Sequence, residues 1–524
     1  MSAKSAVARP HLRAFANSPW GVFLVAFVLT MIPMSLWNLA SPIGSAPDEP
    51  SHFIRAAAVV RGEVITGPLS SNPRISEADV PEFVAWTHSR TCYAFKADVT
   101  AACVHPVPGD PDRIVESGHS ASANSPGFYA ITGLPSLLLS GDKALYAMRG
   151  MNSLMCAAMA GFIFMALSQL ARPRWSYLAA FVSLTPMLLY LGGTINPNGV
   201  EALSSAAVFT GLTVLTTRMV RGGRMAGLLT GVVVGTLFLI GTRNISLLWA
   251  LLGVGLALLL GRRPVILRRL RQPSVWIALA LCALLCVAGL WYFLQPSRLA
   301  PGAPFSGVGQ SFFYGLTYMI QHTFEYANGW IGLFGWVDTP APGFALASWA
   351  AVMFALVVGA LIVARGTKRW GVIVLLVAFV LVPAFSQAAV ITSAGFIWQG
   401  RYTLTLVLML MIAAGIVLDR SGLPSPHPVL ARSVTFALWL LAFSHVYTFF
   451  VAVKRYVVGE TAYVKWMFTQ PAWQPPLGWL TLTIGLAVVA VAAVLVMTHA
   501  LRGIDRRWDR VADRAPGPRP VPVT

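Results

Sequence analysis

Charge is what this chain has least of. Only 11% of its 524 residues are Asp, Glu, Lys or Arg, against 56% hydrophobic, and the mean hydropathy is +0.68. That balance lies outside the range of soluble globular domains and reads as a polytopic membrane protein. No hydrophilic block between residues 20 and 499 is long enough to fold alone, so one integral membrane domain is the economical count. A Walker loop, a zinc-type Cys/His spacing and a Gly-rich dinucleotide fingerprint are all missing, as is any repeat of fixed period. The centres of the apolar runs hold no Asp, Glu, Lys or Arg, and His445 and Gln387 lie toward the outer ends. Ion-coupled transporters usually need an ionisable relay at depth, so this absence weakens a transporter reading.

Cysteine is also scarce. Cys156, Cys282 and Cys286 sit in apolar runs and read as packing residues. Cys92 and Cys103 fall in the first polar loop and form a disulfide candidate if that loop faces an oxidising compartment.

What is present is a series of apolar segments. The first, Trp20 to Ala40, follows a basic leader, residues 1–19, with Lys4, Arg9, Arg13 and no acid. It is long enough to cross the hydrocarbon core and long for a signal peptide, and no clear small-x-small cleavage site follows it. Further spans are expected near 145–170, 176–193, 200–217, 226–241, 245–261, 274–294, 345–364, 371–391, 402–418, 433–452 and 477–499. That makes about twelve transmembrane helices in an all-α protein. Two large outer loops, 41–142 and 296–344, separate them, and residues 500–524 form a mobile cytoplasmic tail. The short apolar stretch at 126–140, broken by Pro and Gly, is expected to lie in the interface rather than to cross.

Charge placement tests this threading. The segments it makes cytoplasmic hold 24 of the 38 Lys and Arg but 4 of the 19 acids, leaving 14 basic and 15 acidic residues outside. The net charge of +19 is therefore a cytoplasmic excess with both termini inside, as the positive-inside rule expects. It calls for no nucleic-acid partner.

Chemistry-bearing residues gather in the outer segments. Pro47 to Arg55 places Asp48, Glu49, His52 and Arg55 just after the first membrane exit. Pro50 suits the first turn of a helix, Asp48 its cap and Gly62 its stop, which sets Asp48, His52 and Arg55 on roughly one face. Carboxylates at a helix N-terminus are held as anions, so Asp48 is expected to be ionised and able to accept a proton. The bland alternative is a capped helix anchored at the headgroups. Asn196, Asn198 and Glu201 could hold a sugar hydroxyl or a hard divalent cation such as Mg or Mn, or form a polar turn and nothing more. Arg149, Arg243 and Arg401, the last within Gln399-Gly400-Arg401-Tyr402, offer planar donor forks for a lipid phosphate, with interfacial anchoring as the competing role. Trp336 and Asp338 lie in an aromatic-rich loop that suits either an interfacial belt or a platform for sugar rings.

Several of these residues fall into an ordered set. Asp48-Glu49-x-x-His52-x-x-Arg55 with Gly62, Asn124-Ser125-Pro126-Gly127-Phe128-Tyr129, Arg149-x-x-Asn152, Thr185-Pro186 with Asn196-Pro197-Asn198, Gly332-x-x-Gly335-Trp336-x-Asp338-Thr339, and Gln399-Gly400-Arg401-Tyr402 resemble the bacterial membrane-protein family of domain of unknown function 2142. The resemblance covers roughly residues 20 to 455. That family is similar to the GT-C superfamily of glycosyltransferases, whose members take a sugar from a polyprenyl-phosphate carrier on the outer face of the membrane and usually invert its anomeric centre.

The resemblance implies a multi-helix fold with interfacial helices in the first outer loop. Asp48 then matches the general base on an acceptor hydroxyl, Glu49 its companion, and Arg401 or Arg149 a phosphate contact. The chain departs from the superfamily at Ser125-Pro126-Gly127, where a Pro-Pro pair is common, and at Asn198, where an acid would support metal binding. The expected partners are a polyprenyl-phosphate-linked sugar, a cell-envelope glycan, lipid or protein acceptor, and membrane lipids, at the outer side of a bacterial inner membrane. A flippase for lipid-linked sugar and a non-catalytic envelope-assembly scaffold are the alternatives.

Overall fold

The computed structural model describes residues 18–295, 305–423 and 427–512. The expected leader lies almost wholly outside them, as does the start of the second outer loop. Among the described residues ten helices are long and apolar enough to cross a membrane, or up to twelve if each of two bent pairs is one span. This agrees with the count read from the apolar runs.

Helix α1 (Pro19–Ala40) has Ser18 as its cap, the hydroxyl accepting from the Gly21 amide at 3.1 Å. After it the chain turns back as α2 (Glu49–Val60). The same loop holds a feature the sequence did not announce, a three-stranded antiparallel sheet of β1 (Pro68–Leu69), β2 (Asn72–Pro81) and β3 (Ile114–His119). Ser76 pairs with His119 and Val80 with Val115. Ser76, Ala78 and Val80 point into the protein, a true two-residue alternation, but small or polar residues supply most of it and the signal is faint. Cys92 and Cys103, between β2 and β3, are bridged. Helix α3 (Pro126–Thr132) and the following 3-10 turn, Leu134–Leu137, are too short to cross and leave Leu134, Leu137 and Leu138 exposed.

Next come α4 (Gly141–Leu167) and a broken span, α5 (Arg174–Ser183) with α6 (Pro186–Gly193), bent by 59°. Pro186 cannot continue a helix begun before it but suits a first turn, and the Thr185 hydroxyl caps α6 by accepting from the Leu188 amide. The chain continues through α7 (Pro197–Thr217), α8 (Gly223–Ile240), α9 (Ser246–Leu259), α10 (Arg263–Arg269) and α11 (Pro273–Phe293). Helix α10 folds back at 118° from α9. Beyond these lie α12 (Phe312–Gln321), a hairpin of β4 (Leu333–Phe334) and β5 (Thr339–Pro340), then α13 (Gly343–Val363), α14 (Thr367–Ala394), α15 (Leu404–Asp419), α16 (Pro428–Val458) and α17 (Trp479–Ala512). Helices α7 and α15 form the centre of the bundle and α11 its most lipid-exposed edge.

The up-and-down path gives the bundle two chemically distinct ends. One gathers the C-terminus of α1, α2, the N-terminus of α7 and the turn before α15. The other gathers Arg172, Arg174, Asp419 and Asp505. At that second end α17 continues to Ala512, so the tail expected from residue 500 is helical over its first half. Leu501 and Ile504 are buried and Asp505 pairs with Arg174, which extends the helix past the apolar run; residues 513–524 lie outside the described residues.

Replacing both Cys92 and Cys103 by Ser should cost about 3 kcal/mol through the freed loop. The thermal midpoint of the purified protein should fall, and trypsin should cut faster after Lys96, which lies inside the ring; unchanged cleavage would refute a stabilising role.

Candidate active site

The site is framed by one ion pair that water does not reach. Glu49, the first residue of α2, and Arg149, from α4, are both 0% exposed. Arg149 Nε donates to Glu49 Oε1 at 2.7 Å and Nη2 to Oε2 at 2.6 Å. Its remaining N–H groups go to the carbonyls of Asn38, Ser41 and Pro42, so all the guanidinium donors are used. Glu49 also accepts the amides of Gly44, Ala46 and Ile195. One residue pair thus ties the end of α1, the start of α2, α4 and the turn before α7. Both groups were expected to act on substrate. The structure instead gives Glu49 and Arg149 closed hydrogen-bond shells and a structural position.

Asp48, one residue earlier, is placed quite differently. Its backbone is left-handed (φ 61°), a conformation that costs most residues about 1 kcal/mol but is comparatively tolerated by Asp and Asn. It stands at the N-cap of α2 yet makes no side-chain cap. The turn swings its carboxylate outward, 49% exposed, where Oδ2 meets Arg401 Nη2 at 2.9 Å. The Arg401 side chain is only 3% exposed, and its Nε has no hydrogen-bond partner. The neighbouring Gln399 Oε1 is likewise buried without a partner. Arg401 reaches this position because Gly400 crosses Gly329 with no room between them. A Cβ on Gly329 would lie 2.6 Å from the Gly400 Cα.

Two arginines share the Tyr402 ring. The Arg401 guanidinium carbon is 5.2 Å from its centroid and that of Arg243 is 4.2 Å away. Arg243 Nη1 donates to Asn198 Oδ1 at 2.7 Å and pairs with Glu201 Oε2 at 3.5 Å. Glu201 also accepts from Ser246 at 2.7 Å. Asn196 caps α7, its Oδ1 accepting from the Asn198 amide and side chain, and its Nδ2 reaches the Pro47 carbonyl beside Asp48. The oxygen set considered for a divalent cation therefore already surrounds a guanidinium. A metal there would have to displace Arg243, and the residues do not fit one. Among the described residues no three His, Cys, Asp or Glu side chains gather.

His52 and Arg55 are buried behind Asp48. Arg55 holds the carbonyls of Glu63 and Val64 and the Tyr292 hydroxyl. His52 Nδ1 lies 2.9 Å from the Tyr129 hydroxyl, which accepts from Asn124 Nδ2 and so can donate its own hydrogen to the imidazole. Burial pushes the His52 pKa down to about 4, with Asp48 opposing and Arg401 and Arg243 reinforcing the shift, so the ring is neutral. His119, on β3, is lowered to about 3, again chiefly by burial.

Trp336 and Asp338 form a clasp. Asp338 accepts from the Phe95 amide, Thr339 and Arg455, and Trp336 Nε1 donates to the Gly44 carbonyl at 3.0 Å. Arg455, which sequence reading passed over, is fully buried and also holds the carbonyls of Tyr93, Lys96 and Val99, inside the disulfide ring. Its one visible signal was an arginine at the end of a long apolar run. Gln387 was also missed as a site element. It binds both flanks of the 395–398 loop that leads into Arg401.

The model of the family "Predicted membrane protein (DUF2142)" matches residues 31–411. No curated protein sequence matches the chain. Among solved structures it is similar to ArnT from Cupriavidus metallidurans in the apo state, with 14% identity, a TM-score of 0.43, and coverage of 92% of this chain and 76% of that one. The same protein bound to undecaprenyl phosphate gives 15% identity, a TM-score of 0.40 and the same coverage.

Changing Glu49 to Gln should leave Arg149 buried without its counter-charge and destabilise the fold by about 3–5 kcal/mol. A melting curve within a degree of wild type would contradict the framing role. The unfolded imidazoles titrate near 6.5, so below that pH the unfolded state binds more protons than the folded one until His52 titrates near 4. Stability should be complete above pH 6.5 and decline as pH falls toward 4, and His52→Gln should flatten that decline in detergent melting experiments. An unaltered pH profile in the variant would count against it.

Proposed function

This chain belongs to the DUF2142 family of predicted membrane proteins, and from its site we propose that it is a GT-C-like glycosyltransferase. In this reading it moves a sugar from a polyprenyl-phosphate carrier to a cell-envelope glycan, lipid or protein. It works at the outer face of a bacterial cytoplasmic membrane, the side the charge asymmetry assigns to the Asp48 end.

The observation that carries the reading is the contrast between neighbours. Glu49 is sealed, whereas Asp48 is half exposed and paired with Arg401, which shares the Tyr402 ring with Arg243. Among the described residues Asp48 Oδ1 makes no hydrogen bond, which leaves it free to accept one from an acceptor hydroxyl. The Arg401 contact at 2.9 Å fixes the direction in which the carboxylate points.

In the proposed step the acceptor oxygen forms a bond to the anomeric carbon and passes its proton to Asp48. The carbon–oxygen bond to the carrier phosphate breaks, and the phosphate leaves with the electron pair. Arg401, with its unused Nε, and Arg243 balance the charge that collects there. The reaction is a single displacement with inversion. Burial of Arg401 in a low-dielectric wall strengthens its hold on an anion relative to water.

Asp48→Asn is the sharpest test because Asn also accepts the left-handed backbone, so the fold should survive. Purified variant in liposomes carrying a polyprenyl-phosphate-linked sugar and envelope extract should transfer sugar at least about 100-fold more slowly, the usual effect of losing a general base. Near-normal transfer would remove Asp48 from the chemistry. Movement of intact lipid-linked sugar without transfer would replace the enzyme reading by that of a flippase.

A further inference from the structure

A second feature lies at the opposite end of the bundle, far from Asp48. Helices α16 and α17 part there around a cleft of about 420 Å³, within the size range of ligand sites. Its polar wall is made by Arg174, Arg432, Arg502, Thr498 and Asp505. Asp505 is paired with Arg174, whereas Arg432 and Arg502 are exposed and have no ion-pair partner among the described residues. Two polar atoms on the wall, Arg174 Nε and Thr498 Oγ1, are buried without a hydrogen-bond partner, and the Arg174 side chain is only 4% exposed. The other wall is apolar, with Leu501 buried and Phe436 and Trp439 opening to the lipid-facing side of α16.

We propose that this cleft binds an anionic phospholipid, its phosphate held by Arg432, Arg502 and Thr498 and its acyl chain laid along Phe436 and Trp439. Charge complementarity selects the headgroup. The cleft holds three arginines against one carboxylate, and guanidinium forks match phosphate oxygens. The unpartnered hydroxyl and Nε supply the directional contacts that a merely basic surface lacks. The apolar wall selects a lipid over free phosphate, because α16 and α17 are both long and apolar enough to cross a bilayer, which puts the mouth of the cleft within reach of acyl chains. Lipid bound here would pin α16 to α17 at the end where the Arg174–Asp505 pair joins α5 to α17.

Native mass spectrometry of the full detergent-purified chain tests this directly. Phosphatidylglycerol should be retained at roughly tenfold lower lipid concentration than phosphatidylcholine, and the double variant Arg432→Gln, Arg502→Gln should lose that preference. Millimolar inorganic phosphate should not displace the adduct. A phosphatidylglycerol with a photoreactive acyl chain should label residues 431–439 or 498–505. Equal retention of both lipids, an unchanged preference in the double variant, displacement by phosphate, or labelling confined to other segments would each overturn the proposal. Both substituted residues are exposed, so folding is preserved.

Discussion

Everything at the Asp48 end of the molecule hangs on the Glu49–Arg149 pair. A buried ion pair contributes little net stability over an apolar replacement, because desolvating both charges offsets much of their attraction. Its value lies in specificity. Arg149 has five donors in a rigid fork, and each meets an acceptor at one place in the chain. Any shift of α1, α2 or α4 would leave one of those groups unpaired in a place without water. The pair therefore defines one register for the elements that surround Asp48, and the left-handed turn at Asp48 can persist because its flanks are fixed.

The arrangement around that turn separates two adjacent acids by environment alone. Glu49 points into the protein and becomes scaffold; Asp48 points out and stays addressable. The arginines divide in the same way. Arg149 spends every donor on carbonyls and a carboxylate of the fold, while Arg401 keeps a buried Nε unspent. Exposure and hydrogen-bond saturation, more than residue type, distinguish a group able to meet a ligand from one that builds the cradle.

This is also where reading the sequence reached its limit. Apolar runs are governed by bilayer thickness, so most spans were legible nearly to their ends, but 176–193 reads as one continuous span and the bend at Pro186 goes unannounced by hydropathy. The N-terminus of α2 at Glu49 with Pro50 and the stop near Gly62 were legible for similar local reasons. The fate of Arg149 was not, because nothing local says whether an arginine near a membrane end meets a phosphate or a glutamate a hundred residues away. The β2–β3 pairing was hidden by Ser76 and Ala78 on its inner face. Arg455 was hidden because, Asp338 apart, its hydrogen-bond partners are backbone carbonyls, which carry no residue identity.

Those carbonyls give the disulfide ring a place in time as well as in space. Tyr93, Lys96 and Val99 lie within the loop closed by Cys92 and Cys103, and Arg455 enters it from the far end of the chain. At synthesis rates of about 5–20 residues per second, Arg455 emerges tens of seconds after the ring does. Disulfides form in oxidising compartments, so a loop that faces one has that interval to close before α16 arrives. The ring is thus a socket assembled early by the N-terminal part of the protein, and Arg455 is the late plug by which the last third of the chain finds its position.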